Sequence, residues 1–243
     1  MSLKCSSSVS REAVRLNANG VLLLQQGRFS EALDTFHDGI DEAMKSKSGF
    51  ASPSPGGESK VETRRLINSV PLTPGSVKFL TVQDDLFHLF HRALHLQWDG
   101  ELVAENDSID HLLSAVFTYN IGLVYHLAGL REGSSRLLVK ALEFYKLLHA
   151  NLTEPSSTFR RYQSSLSVCM LSVLNNMGHI HVCLYNFKEA ARCKNDVFLL
   201  LQALVHSHSF LTCEGAIVFE EFQVFFLNVS FFDESKLCAA AAA

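Results

Sequence analysis

Three stretches of this chain repeat one pattern: a helical run of apolar residues around a glycine, then a short turn and a second helix. The central glycines are Gly20, Gly122 and Gly178. A small residue follows each of them twelve positions later, at Ala32, Ser134 and Ala190. Small residues at fixed offsets allow paired helices to pack closely, so the repeat predicts stacked helical hairpins.

The pattern resembles the tetratricopeptide repeat, a helical hairpin of about 34 residues with small residues at its eighth, twentieth and twenty-seventh positions. On that register the units span 13–46, 115–148 and 171–204, and Gly129 takes the position of the turn glycine Gly27. The third unit departs from the pattern in its second helix, and no unit has the closing proline. The resemblance implies an all-α solenoid.

The chain divides around these units. We predict a first hairpin over 11–46, a linker and insert over 47–110, the second and third hairpins over 111–212, a C-terminal capping helix over 214–232 and a disordered tail over 233–243. The Ser-, Gly- and Pro-rich stretch at 46–60 reads as the linker.

Two segments of this division leave alternatives open. A short strand pair is possible within 64–97, because apolar and polar residues alternate over 86–97, although the same segment can be read as a short helix. The capping helix places aromatic and apolar residues on one face, and an edge strand or an oligomer contact is the alternative reading there. The residues of that face are Phe219, Phe222, Phe226 and Val229.

Composition limits the classes of partner. The net charge is −4 and no basic run exceeds two residues, so we expect no nucleic acid. The uncharged stretches 164–187 and 197–213 contain asparagine, glutamine or histidine, so we expect buried helices and no membrane span. The six cysteines lack a C-x-x-C pair and no signal peptide is apparent. These features predict a cytoplasmic location, with the nucleus as an alternative.

Sequence motifs for chemistry are sparse. Histidines cluster at 88–95, 179–181 and 206–208, but no cysteine or carboxylate stands beside them at ligand spacing. Nucleotide-binding loops and nucleophile motifs are missing as well. We therefore predict that the chain is not an enzyme and has no metal or other cofactor.

The resemblance implies that the first helix of each hairpin lines a concave groove. Asparagine can both donate to and accept from a backbone amide, so asparagines in the groove suit an extended peptide. They could instead bond neighbouring helix termini. The expected groove residues are Asn17, Val21, Leu24, Tyr119, Asn120, Leu123, His126, Asn175 and His179, and Asn176 lies at the groove edge.

The first expectation for function is a non-catalytic adaptor or scaffold that binds a peptide or helix of a partner protein in this groove. A chaperone carboxylate is not the expected partner, because the positions of that clamp hold no cation. The alternative is a self-closed structural or oligomerisation domain, in which the insert 61–98 fills the groove and contacts move to the aromatic C-terminal face. A metal-dependent enzyme that uses the histidines is the third possibility.

Overall fold

The computed structural model describes residues 11–47, 67–72, 87–97, 106–153, 163–206 and 215–231. Most of the residues in these ranges are helical, which confirms the predicted helical class, and one small sheet accompanies the helices. The elements are α1 (Arg11–Gln25), α2 (Phe29–Lys47), β1 (Ile67–Pro71), β2 (Arg92–Leu96), α3 (Asn106–Glu132), α4 (Ser135–Thr153), α5 (Gln163–Cys183), α6 (Phe187–His206) and α7 (Gly215–Phe231). The linker expected at 46–60 lies outside the described residues except for the end of α2, and so does the tail expected at 233–243.

The helices pack in chain order. Three hairpins form from α1 and α2, from α3 and α4, and from α5 and α6. Between hairpins α2 packs on α3, α4 packs on α5, and α6 packs on α7. The close approach expected within a hairpin occurs at Gly20, where an added Cβ would lie 2.3 Å from Cε1 of Phe36 in α2.

The second hairpin differs from its predicted boundaries. Helix α3 begins at Asn106, inside the region predicted as insert, and it continues through Gly129 to Glu132. The turn therefore falls at Gly133, four residues after the predicted turn glycine Gly129, and Ser134 is the last residue before α4. Gly129 is needed as a small residue within the helix, because an added Cβ would lie 2.9 Å from Cδ2 of Leu138.

The three hairpin turns share one backbone geometry. A residue with positive φ ends the first helix, at Gly27 (φ 72°), Gly133 (φ 62°) and Tyr185 (φ 58°). In each turn the next amide reaches back five residues to a helix carbonyl, as Asn186 N does to His181 O at 2.7 Å. This is the Schellman arrangement, which satisfies the last carbonyls of a helix and favours glycine at the left-handed position.

The two strands form an antiparallel pair whose register runs from Ile67 opposite Leu96 to Pro71 opposite Arg92. Both strands lie within the range 64–97 in which the sequence predicts a possible pair. Strand β2 packs against α1 and α3. The alternation of apolar and polar residues thus corresponds to extended backbone in this segment.

The C-terminal segment is helical, and its buried face differs from the expected one. Phe222 and Phe225 are buried, whereas Phe226 is exposed. The ring of Phe225 stacks on Phe90 with centroids 4.8 Å apart. The buried face of α7 therefore includes Phe225 in place of the predicted Phe226. The reason is that α7 packs on the segment before β2 as well as on α6.

Two helices are long and apolar enough to cross a membrane when judged by length and composition alone. They are His111–Glu132 in α3 and Leu166–Cys183 in α5, and 83% and 89% of these windows are buried inside the protein. Central helices of a folded domain pass the same test, so this finding is weak evidence for a membrane location.

The left-handed turn residue Tyr185 predicts a simple stabilising substitution. A non-glycine residue at positive φ costs about 1–2 kcal/mol. The Tyr185 side chain is exposed, and its edge-on ring contact with Phe187, with centroids 6.2 Å apart, offsets about 0.5 kcal/mol of that cost. We expect Tyr185→Gly to raise the free energy of unfolding by about 1 kcal/mol in urea titrations. Gly133→Ala is the matched control and should lower it by a similar amount. A Tyr185→Gly protein no more stable than the wild type would contradict this explanation of the turn.

Candidate functional site

An extended segment of this chain, residues 87–96, lies across the helices that the sequence predicts as groove-lining. Its backbone bonds side chains of α7, α5, α3 and α1 in that order. The nine residues from 88 to 96 span about 27 Å when they are extended, at about 3.4 Å for each of the eight steps. Four adjacent helices at their usual spacing span about 24–30 Å between the outer axes. One extended segment is therefore long enough to reach every helix of the row.

Two asparagines each bond both backbone groups of a single residue in the segment. Asn120 accepts from Leu94 N at 2.9 Å and donates to Leu94 O at 2.7 Å. Asn176 accepts from Phe90 N at 3.0 Å and donates to Phe90 O at 3.2 Å. A side-chain amide has one acceptor and one donor side, so it can replace a neighbouring strand at that residue.

The C-terminal helix supplies a third contact of the same kind. Asn228 accepts from His88 N at 2.6 Å and donates to His88 O at 2.7 Å. Its amide also donates to Asn175 Oδ1 at 2.7 Å, and Asn175 donates to His88 O at 3.0 Å. Asn175 and Asn228 thus both bond the backbone of His88, at the start of the segment.

The first hairpin holds the other end. Asn17 donates to Leu94 O at 3.3 Å and accepts from Leu96 N at 3.1 Å. Between the two ends the hydroxyl of Tyr119 donates to Arg92 O at 3.2 Å. We call Asn17, Asn120, Asn175, Asn176 and Asn228 the asparagine ladder.

The ladder and strand β1 use opposite edges of the segment. The ladder and Tyr119 contact backbone groups of every second residue, from 88 to 96. On the other edge β2 pairs with β1, and Leu72 N donates to His91 O at 3.2 Å beyond the last pair. Because backbone groups of a strand alternate between its two edges, both edges of the segment are occupied from residue 91 to residue 96.

The side chains of the segment are buried as well. Phe87, Leu89, Phe90, Leu94 and Leu96 are all at most 3% exposed. Gly178 leaves room for the first of these, because an added Cβ would lie 2.5 Å from Cζ of Phe87. The third repeated glycine therefore accommodates the segment, whereas Gly20 accommodates a partner helix.

The structure places the predicted groove residues in three groups. Asn17, Tyr119, Asn120 and Asn175 bond the segment. The apolar members of the set belong to the main core, and these are Val21, Leu24 and Leu123. His126 and His179 contact each other, with Nε2 and Nδ1 3.0 Å apart. Four of the predicted groove residues thus bond the backbone of a segment of the same chain.

One ladder residue was not among the sequence candidates. Asn228 stands in a strongly apolar and aromatic helix, and it is 2% exposed. A lone asparagine among apolar residues is itself a signal, since a buried amide requires partners. Asn228 was not predicted as a groove residue because it lies in α7, outside the three repeats. Asn176, placed at the groove edge from the sequence, proves to be fully buried.

The polar groups around the ladder are neutral. Burial raises the pKa of Tyr119 well above its usual range, and it raises that of Tyr145 as well. Both hydroxyls accept hydrogen bonds from Asn176 Nδ2, at 3.1 and 3.3 Å. Burial likewise raises the pKa of the Cys169 thiol to about 12. These groups can hold a backbone, but none is a nucleophile or a general base near neutral pH.

The described residues contain no group of three or more histidine, cysteine or acidic side chains that could hold a metal ion. Of the histidine clusters seen in the sequence, His88 contributes its backbone to the ladder and His206 bonds Gln202 O at 2.7 Å within α6. His208 lies outside the described residues.

Comparison of the chain with protein-family models, curated proteins and solved structures finds no match. The resemblance to a tetratricopeptide repeat therefore stays a prediction.

The buried amide of Asn176 predicts a large loss of stability on truncation. Asn176→Ala would leave the amide and carbonyl of Phe90 without their partners in the core, and each such group costs about 1–3 kcal/mol. We expect the free energy of unfolding to fall by about 3 kcal/mol in urea titrations. Asn195→Ala on the exposed side of α6 is the matched control and should change it by less than about 0.5 kcal/mol. Equal effects of the two substitutions would show that the ladder does not hold the segment.

Proposed function

We propose that this chain is a non-catalytic helical domain that is closed on itself, with its own segment 87–96 as the permanent occupant of its groove. The observation that carries the proposal is the bonding of that segment by the asparagine ladder from residue 88 to residue 96 on one edge and by β1 from residue 92 to residue 96 on the other. Protein partners would then bind the outer surfaces of the domain.

The energy of burial supports a permanent occupant. Each buried leucine or phenylalanine of the segment stabilises the fold by about 1.5–3 kcal/mol, as an upper estimate. Five such side chains together contribute about 10 kcal/mol, which is comparable with the whole stability of a typical domain. Withdrawing the segment would therefore unfold much of the domain.

Tethering supports the same conclusion. A segment joined to its own binding site competes at an effective concentration in the millimolar range or above. A free peptide at micromolar concentration would lose that competition even if it made the same contacts. An adaptor that binds a partner's peptide in this groove is therefore the less well supported function. The ladder bonds backbone groups only, so it would bond the backbone of such a peptide in the same way.

The helical row itself fits a tetratricopeptide-like solenoid. Three successive hairpins with the same turn geometry, and first helices that face one extended segment, support that finer description. Neutral buried thiols and phenols support a non-catalytic role, as Cys169 and Cys193 both have a pKa raised to about 12, chiefly by burial. Free cysteines at 169, 183 and 193 suit a reducing compartment such as the cytoplasm.

Native-state hydrogen exchange tests whether the groove is closed. We expect the amides of Phe90, Leu94 and Leu96 to exchange only through global unfolding, because their acceptors are buried asparagines. Their opening free energy and its dependence on urea should equal those of amides in the middle of α4, such as that of Leu142.

The contrary result is a smaller opening free energy for the three segment amides, with little dependence on urea. The segment would then leave the groove while the helices stay folded. A partner peptide could enter in that state, and the open-groove adaptor would become the better description.

A further inference from the structure

Strand β1 is an edge strand. In the described part of the chain it pairs with β2 on one side and with no strand on the other. An edge strand presents a row of backbone groups to which a strand of another molecule can add, and charged side chains on the edge strand commonly prevent this. The sequence of β1, INSVP, contains no charged residue. Apart from its proline, protection of this edge therefore has to come from other elements.

The register of the sheet identifies the backbone groups of β1 that face outward. Leu72 N donates to His91 O at 3.2 Å, so the backbone of Leu72 faces β2. Backbone groups alternate between the two edges of a strand. Those of Ser69 and Pro71 therefore face away from β2. The partner strand shows the same alternation, because the backbone of Leu94 faces the asparagine ladder.

Side chains of other elements bond both of these outward carbonyls. Gln25, at the end of α1, donates from Nε2 to Pro71 O at 3.1 Å. Arg92 of β2 donates from Nη2 to Ser69 O at 3.2 Å and from Nε to the Ser69 hydroxyl at 2.6 Å. The guanidinium of Arg92 thus lies at the outer edge of β1. We call Gln25 and Arg92 the edge-capping residues.

The two capped carbonyls are the acceptors that a symmetric pairing of two β1 strands requires. In an antiparallel pair centred on Ser69, this residue lies opposite its own copy and supplies two hydrogen bonds through N–H and C=O. Pro71 has no N–H, so every bond of the pair is accepted at Ser69 O or Pro71 O. A strand added at this edge would also cover the Arg92 guanidinium, and burying a charge without a partner is costly.

We infer that the outer edge of β1 is a pairing surface for β1 of a second copy of this chain, and that Gln25 and Arg92 keep this surface closed by bonding its carbonyls. A second copy fits the edge because both strands are uncharged and because the pair is symmetric about Ser69. The inference rests on the pairing of β1 with β2. It goes beyond the proposed closure of the groove, which depends on the ladder edge of the segment.

Sedimentation equilibrium of the full chain tests whether these residues close the edge. Arg92→Met keeps the apolar stem of the side chain, and Gln25→Ala removes the amide. In the double variant we expect the dimer association constant to be at least about tenfold that of the wild type, because the freed carbonyls accept intermolecular hydrogen bonds. The matched control is Arg136→Met with Gln202→Ala, at exposed positions of α4 and α6. It has the same change of charge and should associate no more strongly than the wild type.

Hydrogen exchange locates the contact in the double variant. The N–H of Ser69 faces outward, so its exchange should slow as the protein concentration rises, and in the control it should not. Adding Ser69→Pro to the double variant removes this N–H at an edge position, where proline is tolerated. This third substitution should return the association constant to the wild-type value.

An association constant equal to that of the control would overturn the inference, and so would a dimer that survives Ser69→Pro. If the double variant does not fold, as judged by circular dichroism, the two substitutions are tested singly, since each frees one carbonyl per copy. No rise in association with either of them would also overturn it. Exchange of the Phe90 amide in the monomer reports on the closed groove separately, so the two proposals can fail independently.

Discussion

The structure depends on one interaction, the hydrogen bonding of side-chain amides to the free edge of a strand. A strand among helices has two rows of backbone groups to satisfy, and β1 satisfies only one of them. The asparagine ladder satisfies the other, with the amides of Asn120, Asn176 and Asn228 each bonding both groups of one residue. Because the ladder residues come from four helices, the same bonds that hold the strand also fix the helices side by side.

This interaction explains features that the helices alone do not. Gly178 is small because the ring of Phe87 occupies the space beside it. Helix α7 presents Phe225 as well as Asn228 because both contact the segment, through Phe90 and His88 respectively. The polar core is tolerated because nearly all of its groups are paired. Among the described residues the buried side-chain atoms without a partner are Nδ1 of His126 and Nδ1 of His181.

Much of the local structure could be predicted from the sequence, and the long-range contacts could not. Periodicity and small residues predict the hairpins, and the shared register of Asn17 and Asn175 points to a groove. The sequence named the insert 61–98 as one possible occupant of the groove, but it could not decide between that insert and a partner peptide, because an asparagine amide bonds any backbone alike. The left-handed backbone at Tyr185 was equally hidden, because no glycine marks that position. The extra turn of α3 before Gly133 was hidden for another reason, because Gly129 lies within the helix and leaves room for Leu138.

The central claim is that the helices are held together by the chain's own segment. A chain in which residues 61–98 are replaced by a flexible linker of about 15 residues tests it most directly. Its urea unfolding would be followed by circular dichroism, with and without a synthetic peptide of residues 86–97. We predict a broad, weakly cooperative transition without the peptide, and recovery of a cooperative one when the peptide is added. Cooperative unfolding of the shortened chain at the wild-type midpoint would contradict the claim.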